Sequence, residues 1–408
     1  MTGDMATYVF RTGDFGRSWT PLATADPKGY AHVVKQDLVN PDLLFLGTEF
    51  GLWISIDGGR QWGQFSAGLP PVAVRDLAIH PRDHDLVVAT HGRGLYIVDD
   101  LTPLRALTAE TLAADAVFLP SRPSWLTIPV FESGFNGDAE FVGRSPGESA
   151  FVAYYLARRH MFGDLRLEVY DAKGTLVSTL QGGKRRGVNR VEWPMRAKAP
   201  RMPVGAGLIP NAYALMGPRA PVGTYTVRLV KGDQTQTSQI ELVPDPRSAH
   251  TAEDRALQQE TVWALYGHLE RLAFLVDSIV HVRDQARARL ARASGDDAPR
   301  RALEALADRM EDRRTALVSS KQGEGISGEE KLREELGALY GNVNGHDGRP
   351  TASQLSRLAV LVRQLGEAAT SFDAAIRTDL ASINAALATQ GLEPIASLTE
   401  DEWNRRAR

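Results

Sequence analysis

The sequence predicts a multidomain β plus α protein: partial β-propeller blades over residues 1–105, a linker and immunoglobulin-like β-sandwich over 106–247, and an antiparallel helical bundle over 248–408. Three observations carry this prediction. The pattern Ser/Thr-x-Asp-x-Gly-x-x-Trp occurs twice, at Thr12–Trp19 and Ser55–Trp62, 43 residues apart. Short β-forming runs with alternating apolar and polar residues continue to Val243. After Thr251 the apolar residues step by threes and fours instead.

The 43-residue spacing, with turn chemistry and a fixed aromatic, is the mark of a propeller blade. In each box a hydroxyl (Thr12, Ser55) and a carboxylate two residues on (Asp14, Asp57) can bond backbone N–H groups within one tight turn. Gly16 and Gly59 supply a backbone shape that side chains disfavour. Trp19 and Trp62 are expected to pin each turn onto its own blade. Between and after the boxes lie Leu43–Thr48, Gly51–Ile54, Leu86–Thr90 and Gly94–Val98, with Gly51 and Gly94 again 43 apart. In the third unit Val98-Asp99-Asp100 lacks the following Gly and Trp, and Asp99 takes the place of the box carboxylate.

The middle region opens with a linker and a short helix over 108–114. Runs at 150–156, 165–170, 175–180, 187–193, 223–229 and 236–243 alternate as strands of a sandwich. Residues 197–222, rich in Pro, Gly and Ala, read as a long excursion between strands. In the last region Thr251 caps a helix whose seam is Val262, Leu265, Leu269, Leu272, Val276 and Ile279. A second helix starts near Pro299, a third, shorter one holds Leu332, Leu336 and Leu339, and a fourth opens at the capping box Thr351–Gln354.

Composition bounds the function. The chain has 408 residues, is 43% hydrophobic, and its net charge of -3 gives no reason to expect nucleic acid. It has no cysteine, which excludes disulfides, thiolate metal sites and cysteine nucleophiles. No apolar run reaches the roughly 18 residues of a spanning helix, so membrane insertion is not expected. His80, His84 and His91 lie near one another in sequence without a metal-binding spacing, and no cofactor or metal is expected. Gly182-Gly183-Lys184 lacks the rest of a phosphate loop and reads as a turn.

Glycoside hydrolysis needs two carboxylates flanking the bond. The blade region holds Asp57, Asp83, Asp85, Asp99 and Asp100, of which Asp57 is committed to its turn. His91, Arg93, Asp99 and Asp100 are the polar candidates for a central channel, and none is assigned as catalytic.

The two boxes, Thr90-His91-Gly92-Arg93-Gly94 with Asp99-Asp100, the segment ending Pro244-Asp245-Pro246-Arg247 and the tail from Pro350-Thr351 together resemble bacterial exported proteins with sortilin-type BNR (Asp-box) propellers, often labelled glycosyl hydrolases. The middle region also resembles the immunoglobulin-like domain of flagellar hook-cap proteins, through 167–180 and 221–225; Trp193-Pro194 stands where that family has Trp-Asp. The resemblance implies propellers of six to ten blades, an exported full-length form, and a C-terminal portion whose reactive blades lie elsewhere. It implies no reaction, because sialidases, xyloglucanases and sortilin-like receptors share such boxes. The expected function is therefore a non-catalytic binding or assembly module engaging protein or glycan, with self-association through open blade edges. The alternative is the C-terminal portion of a propeller glycoside hydrolase whose catalytic blades are missing.

Overall fold

Short β-formers bounded by Gly and Pro, followed by long helix-forming segments, fold in the computed structural model into a mixed β and α architecture: several antiparallel sheets, then a helical C-terminal region. The structure describes residues 3–23, 25–128, 147–206, 211–292, 298–321 and 329–406. The chain divides into two units: Met1–Trp125 with Ser149–Pro194 and Val222–Val243, and Leu126–Glu148 with Met195–Pro221 and Pro244–Arg408.

The first unit begins with a two-stranded sheet, β1 (Phe10–Arg11) and β2 (Thr20–Pro21). A four-stranded sheet follows in chain order: β3 (Ala31–Gln36), β4 (Leu44–Thr48), β5 (Gly51–Ser55) and β6 (Gly63–Phe65). A three-stranded sheet comes next: β7 (Val74–Ile79), β8 (Leu86–Thr90) and β9 (Leu95–Val98). The bulge between Ala31 and Val33 recurs between Val74 and Asp76, so the 43-residue repeat extends to backbone irregularities.

These sheets are held together through the two faces of β4, all of whose residues are buried. Leu44 and Leu46 join Trp53, Trp62 and Val9, with Leu22 alongside, so this face packs on the β1–β2 segment. Phe45 and Leu52 on the other face join Val74, Leu77, Leu86 and Val88 of the next sheet. A Cβ at Gly47 would stand 2.7 Å from the Val74 carbonyl oxygen, which is why this close approach of the two sheets carries glycine.

After β9 come two short helices, α1 (Thr102–Arg105) and α2 (Ala109–Ala113), the second capped by Thr108. Two further sheets then face one another. One is ordered β10 (Ala116–Leu119), β12 (Ala150–Leu156) and β15 (Gly187–Trp193). The other is ordered β11 (Ser124–Leu126), β17 (Gln234–Pro244), β16 (Gly223–Lys231), β13 (Leu165–Tyr170) and β14 (Leu176–Gln181). Alternation along β13 sends Leu165, Leu167 and Val169 inward, and Trp193 meets Tyr225 across the gap with ring centroids 5.0 Å apart. The alternating runs of the sequence became strands at nearly the expected bounds. β10 and β11 are additions, because runs of four and three residues give too little periodicity to read.

The second unit is built on α3 (Ala252–Leu290), α4 (Ala298–Leu317), α5 (Leu332–Asn344), α6 (Ala352–Thr389) and α7 (Glu400–Arg406). Thr351 forms the expected capping box with Gln354, and Thr251, expected as an N-cap, also closes one with Asp254. The expected α3 seam is buried throughout. On α6 Leu361, Leu365 and Phe372 are buried, and Val362 is half-buried. The short α7 lacks periodicity and was not expected; it buries Trp403 against Phe274 and Leu398. Residues 195–221 belong to this unit. The Tyr340 hydroxyl donates to the Met216 carbonyl at 2.7 Å, and Asn344 Nδ2 to that of Tyr213 at 3.0 Å.

Glu311 joins α4 to α3. It accepts from Arg283 Nη1 at 2.5 Å and Arg314 Nη2 at 2.6 Å. The Arg314 side chain, assisted by Arg283 and opposed by partial burial, pulls its carboxyl down to about 2. A depressed carboxylate stabilises the fold above its unfolded pKa, and that contribution disappears as pH falls through the folded value. The melting temperature is expected to drop between about pH 4.5 and 2, and to drop less steeply over that window in Glu311→Gln. Equal slopes in the two proteins would remove Glu311 from the acid response.

Candidate functional site

The two repeated turns close on their own side chains. In the first, Thr12 Oγ1 donates to Asp14 Oδ1 at 2.9 Å and accepts the Gly16 N–H at 2.8 Å. Asp14 accepts the Ser18 N–H at 2.9 Å and its hydroxyl at 2.7 Å. In the second, Ser55 Oγ donates to Asp57 Oδ1 at 2.8 Å and accepts the Gly59 N–H at 2.9 Å, while Asp57 accepts the Arg60 and Gln61 N–H groups at 3.0 Å. Gly16 and Gly59 sit at φ 86° and 88°, the left-handed region their position requires.

The electrostatics follow from those bonds. The Ser18 N–H, then its hydroxyl and that of Thr12, pull the Asp14 carboxyl down to about 2. Burial pushes Asp57 up, but the Gln61 N–H, the Ser55 hydroxyl and the Arg60 N–H outweigh it and leave the carboxyl below its ordinary value. Carboxylates so held ionised and spent on backbone donors make poor proton donors at neutral pH.

The tryptophans part company. Trp62 is 6% exposed and packs with Val9, Leu44, Leu46 and Trp53, whereas Trp19 is 60% exposed. Trp19 therefore does not pin its turn onto a sheet as expected. Trp62 is covered by the sheet before its own, and no described sheet stands before β1 and β2. A cleft of about 560 Å³ lies beside the turns, lined by Arg11, Gly13, Thr20, Leu22, Gly59 and Arg60 among others; neither Asp14 nor Asp57 lines it.

The four channel candidates do not converge. His91 and Arg93 are exposed in the β8–β9 turn, where the His91 N–H donates to the Ala73 carbonyl at 2.9 Å. Asp99 and Asp100 follow the far end of β9, and its four residues at about 3.3 Å each put roughly 13 Å between the two pairs. Strand β9 thus lies between His91 with Arg93 and Asp99 with Asp100. The third unit's turn role also moves by one residue. Asp100, buried at φ 55°, accepts the Thr102 N–H at 3.0 Å, while exposed Asp99 offers its backbone carbonyl to Arg190. The 43-residue offset from Asp57 to Asp100 was the signal available for this.

Two further carboxylates of the repeat region are engaged. Asp83 faces Arg82 at 2.8 Å, and Asp85 accepts the Asp100 N–H at 2.9 Å. A network absent from the sequence expectations is well enclosed: Arg105 reaches Asp37 through Nε and Nη2, both at 2.9 Å, and its Nη2 lies 3.3 Å from His84 Nδ1. Asp37 is fully enclosed. Among the described residues no group of three or more His, Cys, Asp and Glu side chains converges as a metal site, and no helix is long and apolar enough to cross a membrane.

The second unit carries a groove of about 740 Å³ beside α3, lined by Met202, Val280, His281, Gln285 and Trp403 among others. Arg201 covers the Trp403 ring at 3.2 Å, and the Trp403 indole donates to Asp277 at 2.7 Å. Burial first, then Arg406, pushes His281 below its ordinary value. These residues come from three distant segments with no shared pattern, so nothing in the sequence announced them.

No protein-family model and no curated protein matches the chain. Similar solved structures include the extracellular domain of a putative one-component system from B. thetaiotaomicron, at 12% identity over 58% of this chain and 28% of that one, with a TM-score of 0.19. An ancestral GH74 enzyme aligns at 13% identity over 57% of this chain and 43% of its own, with a TM-score of 0.19. CopC from Methylosinus trichosporium OB3b aligns at 17% identity over 27% of this chain and 86% of its own, with a TM-score of 0.15. This chain thus spans 28% of the first and 43% of the second of these proteins. TM-scores this low assign neither a fold nor a reaction.

Proposed function

We propose that this chain is a non-catalytic binding or assembly module of an exported propeller protein, engaging protein or glycan. In this reading the stacked sheets of residues 1–105 are propeller blades with Asp-box turns, the two facing sheets form an immunoglobulin-like sandwich, and the helices form an antiparallel docking bundle. One observation carries the functional part. Asp14, Asp57, Asp83 and Asp100 of the repeat region are spent on turns and ion pairs, while apolar side chains such as Phe10, Leu95 and Ile97 stand open on its sheets. A glycosidase needs the reverse: two uncommitted carboxylates on either side of an open cleft.

The test is turnover by the purified chain on a panel of aryl glycosides, xyloglucan oligosaccharides and sialosides. No hydrolysis above the protein-free blank is expected. Hydrolysis abolished by Asp99→Asn or Asp100→Asn would replace this reading with that of a glycoside hydrolase.

A further inference from the structure

The 43-residue repeat allows each exposed face to be compared with a buried counterpart in the same chain. On the face of the four-stranded sheet that meets the next sheet stand Phe45, Gly47, Leu52 and Ile54. The ladders pair Phe45 with Ile54 and Gly47 with Leu52, and likewise Val87 with Ile97 and Ala89 with Leu95. Val87, Ala89, Leu95 and Ile97 are therefore the same face one repeat later. Here Val87 and Ala89 are half-buried, and the outer strand stands open, with Leu95 71% exposed and Ile97 60%.

The other end of the stack is open in the complementary sense. Phe10 and Trp19 lie one repeat before Trp53 and Trp62. Trp53 and Trp62 are buried under Val9 and Leu22. Phe10 and Trp19 are 52% and 60% exposed. Val9, which does the covering inside the chain, corresponds two repeats later to the uncovered Leu95. Each end thus carries one half of a contact that the chain closes internally.

We propose that these two faces bind each other between copies: Leu95 and Ile97 of one copy seat on Phe10 and Trp19 of the next, Leu95 in the place that Val9 takes on Trp53 and Trp62 within the chain. The proposal rests on the assembly reading above and names the partner as a second copy of this chain. It concerns sheet faces, whereas edge pairing alone would need no apolar match. Because the two surfaces differ, the contact is heterologous and propagates head to tail, into a ring if the rotation closes. The face is small, so association is expected to be concentration-dependent.

Sedimentation velocity across a dilution series reads the association, and thermal melts verify folding. Leu95→Asp with Ile97→Asp, and separately Phe10→Asp with Trp19→Asp, should each weaken it by about tenfold or more. Should the charged forms melt early, threonine at the same positions replaces them. Mixing the two variants should restore a dimer, since each keeps the half the other lost. A wild-type chain that stays monomeric, variants that associate unchanged, or a mixture that stays monomeric would each overturn the proposal. A monomeric chain that also lacks glycosidase activity would lose this inference and leave the non-catalytic reading standing.

Discussion

Trp62→Ala should destabilise the first unit by about 3–5 kcal/mol, while Trp19→Ala should cost the monomer no more than about 0.5 kcal/mol. The two residues occupy the same place in the same motif, so a local account of the turn predicts equal losses. The difference arises from what stands in front of each. Trp62 fills the space between two sheets, against Val9, Leu44, Leu46 and Trp53, and its removal leaves a cavity that β4, enclosed on both faces, cannot close. Trp19 is exposed and leaves no cavity. Urea unfolding of the two variants checks this directly. Equal losses would mean that the indole acts on its own turn. Trp62→Phe should recover most of the stability, because the Trp62 indole N–H is buried without an acceptor.

Arg105→Ala should be comparably severe, at about 3 kcal/mol or more, because it leaves the enclosed Asp37 carboxylate without its counter-charge. Asp37 would keep the N–H groups of Val39 at 3.0 Å and Asn40 at 2.8 Å, which satisfy lone pairs but carry no full charge. The sign with pH follows. Burial pushes Asp37 up, and Arg105 with the two N–H groups outweighs it, so the carboxyl sits below its ordinary value. In wild type that stabilisation persists above the unfolded pKa and is lost as pH falls through the folded one. Without Arg105 the folded value rises, so the variant should begin to lose stability at a higher pH than wild type. The double change Asp37→Asn with Arg105→Met should recover part of the loss, since neither buried charge remains. A single variant as stable as wild type would show the pair to be dispensable.

How much could be read beforehand differs from element to element. The turns were legible in kind. The hydroxyl–carboxylate spacing of Thr12 and Asp14, repeated at Ser55 and Asp57, brings backbone N–H groups of the same turn within reach, and Gly16 and Gly59 take positive φ, while the particular donors came from the structure. The α3 seam was legible because an apolar residue every three to four positions can face only one side of a helix. What His91, Arg93, Asp99 and Asp100 face was not, because an extended strand separates the two pairs and their surroundings come from the rest of the chain. The Arg105–Asp37 pair was invisible because its partners are 68 residues apart and share no periodic signal.

The amino-acid sequence by itself determined the local conformations: two acidic turns with their hydrogen bonds, the strands that alternate, and the helices with their caps. Those depend on contacts within a few residues, where spacing is geometry. The tertiary structure alone decided which of two identical tryptophans is covered, which carboxylate finds an arginine, and which sheet faces stand open. Those outcomes depend on what the rest of the chain brings alongside, and burial belongs to the neighbour as much as to the residue.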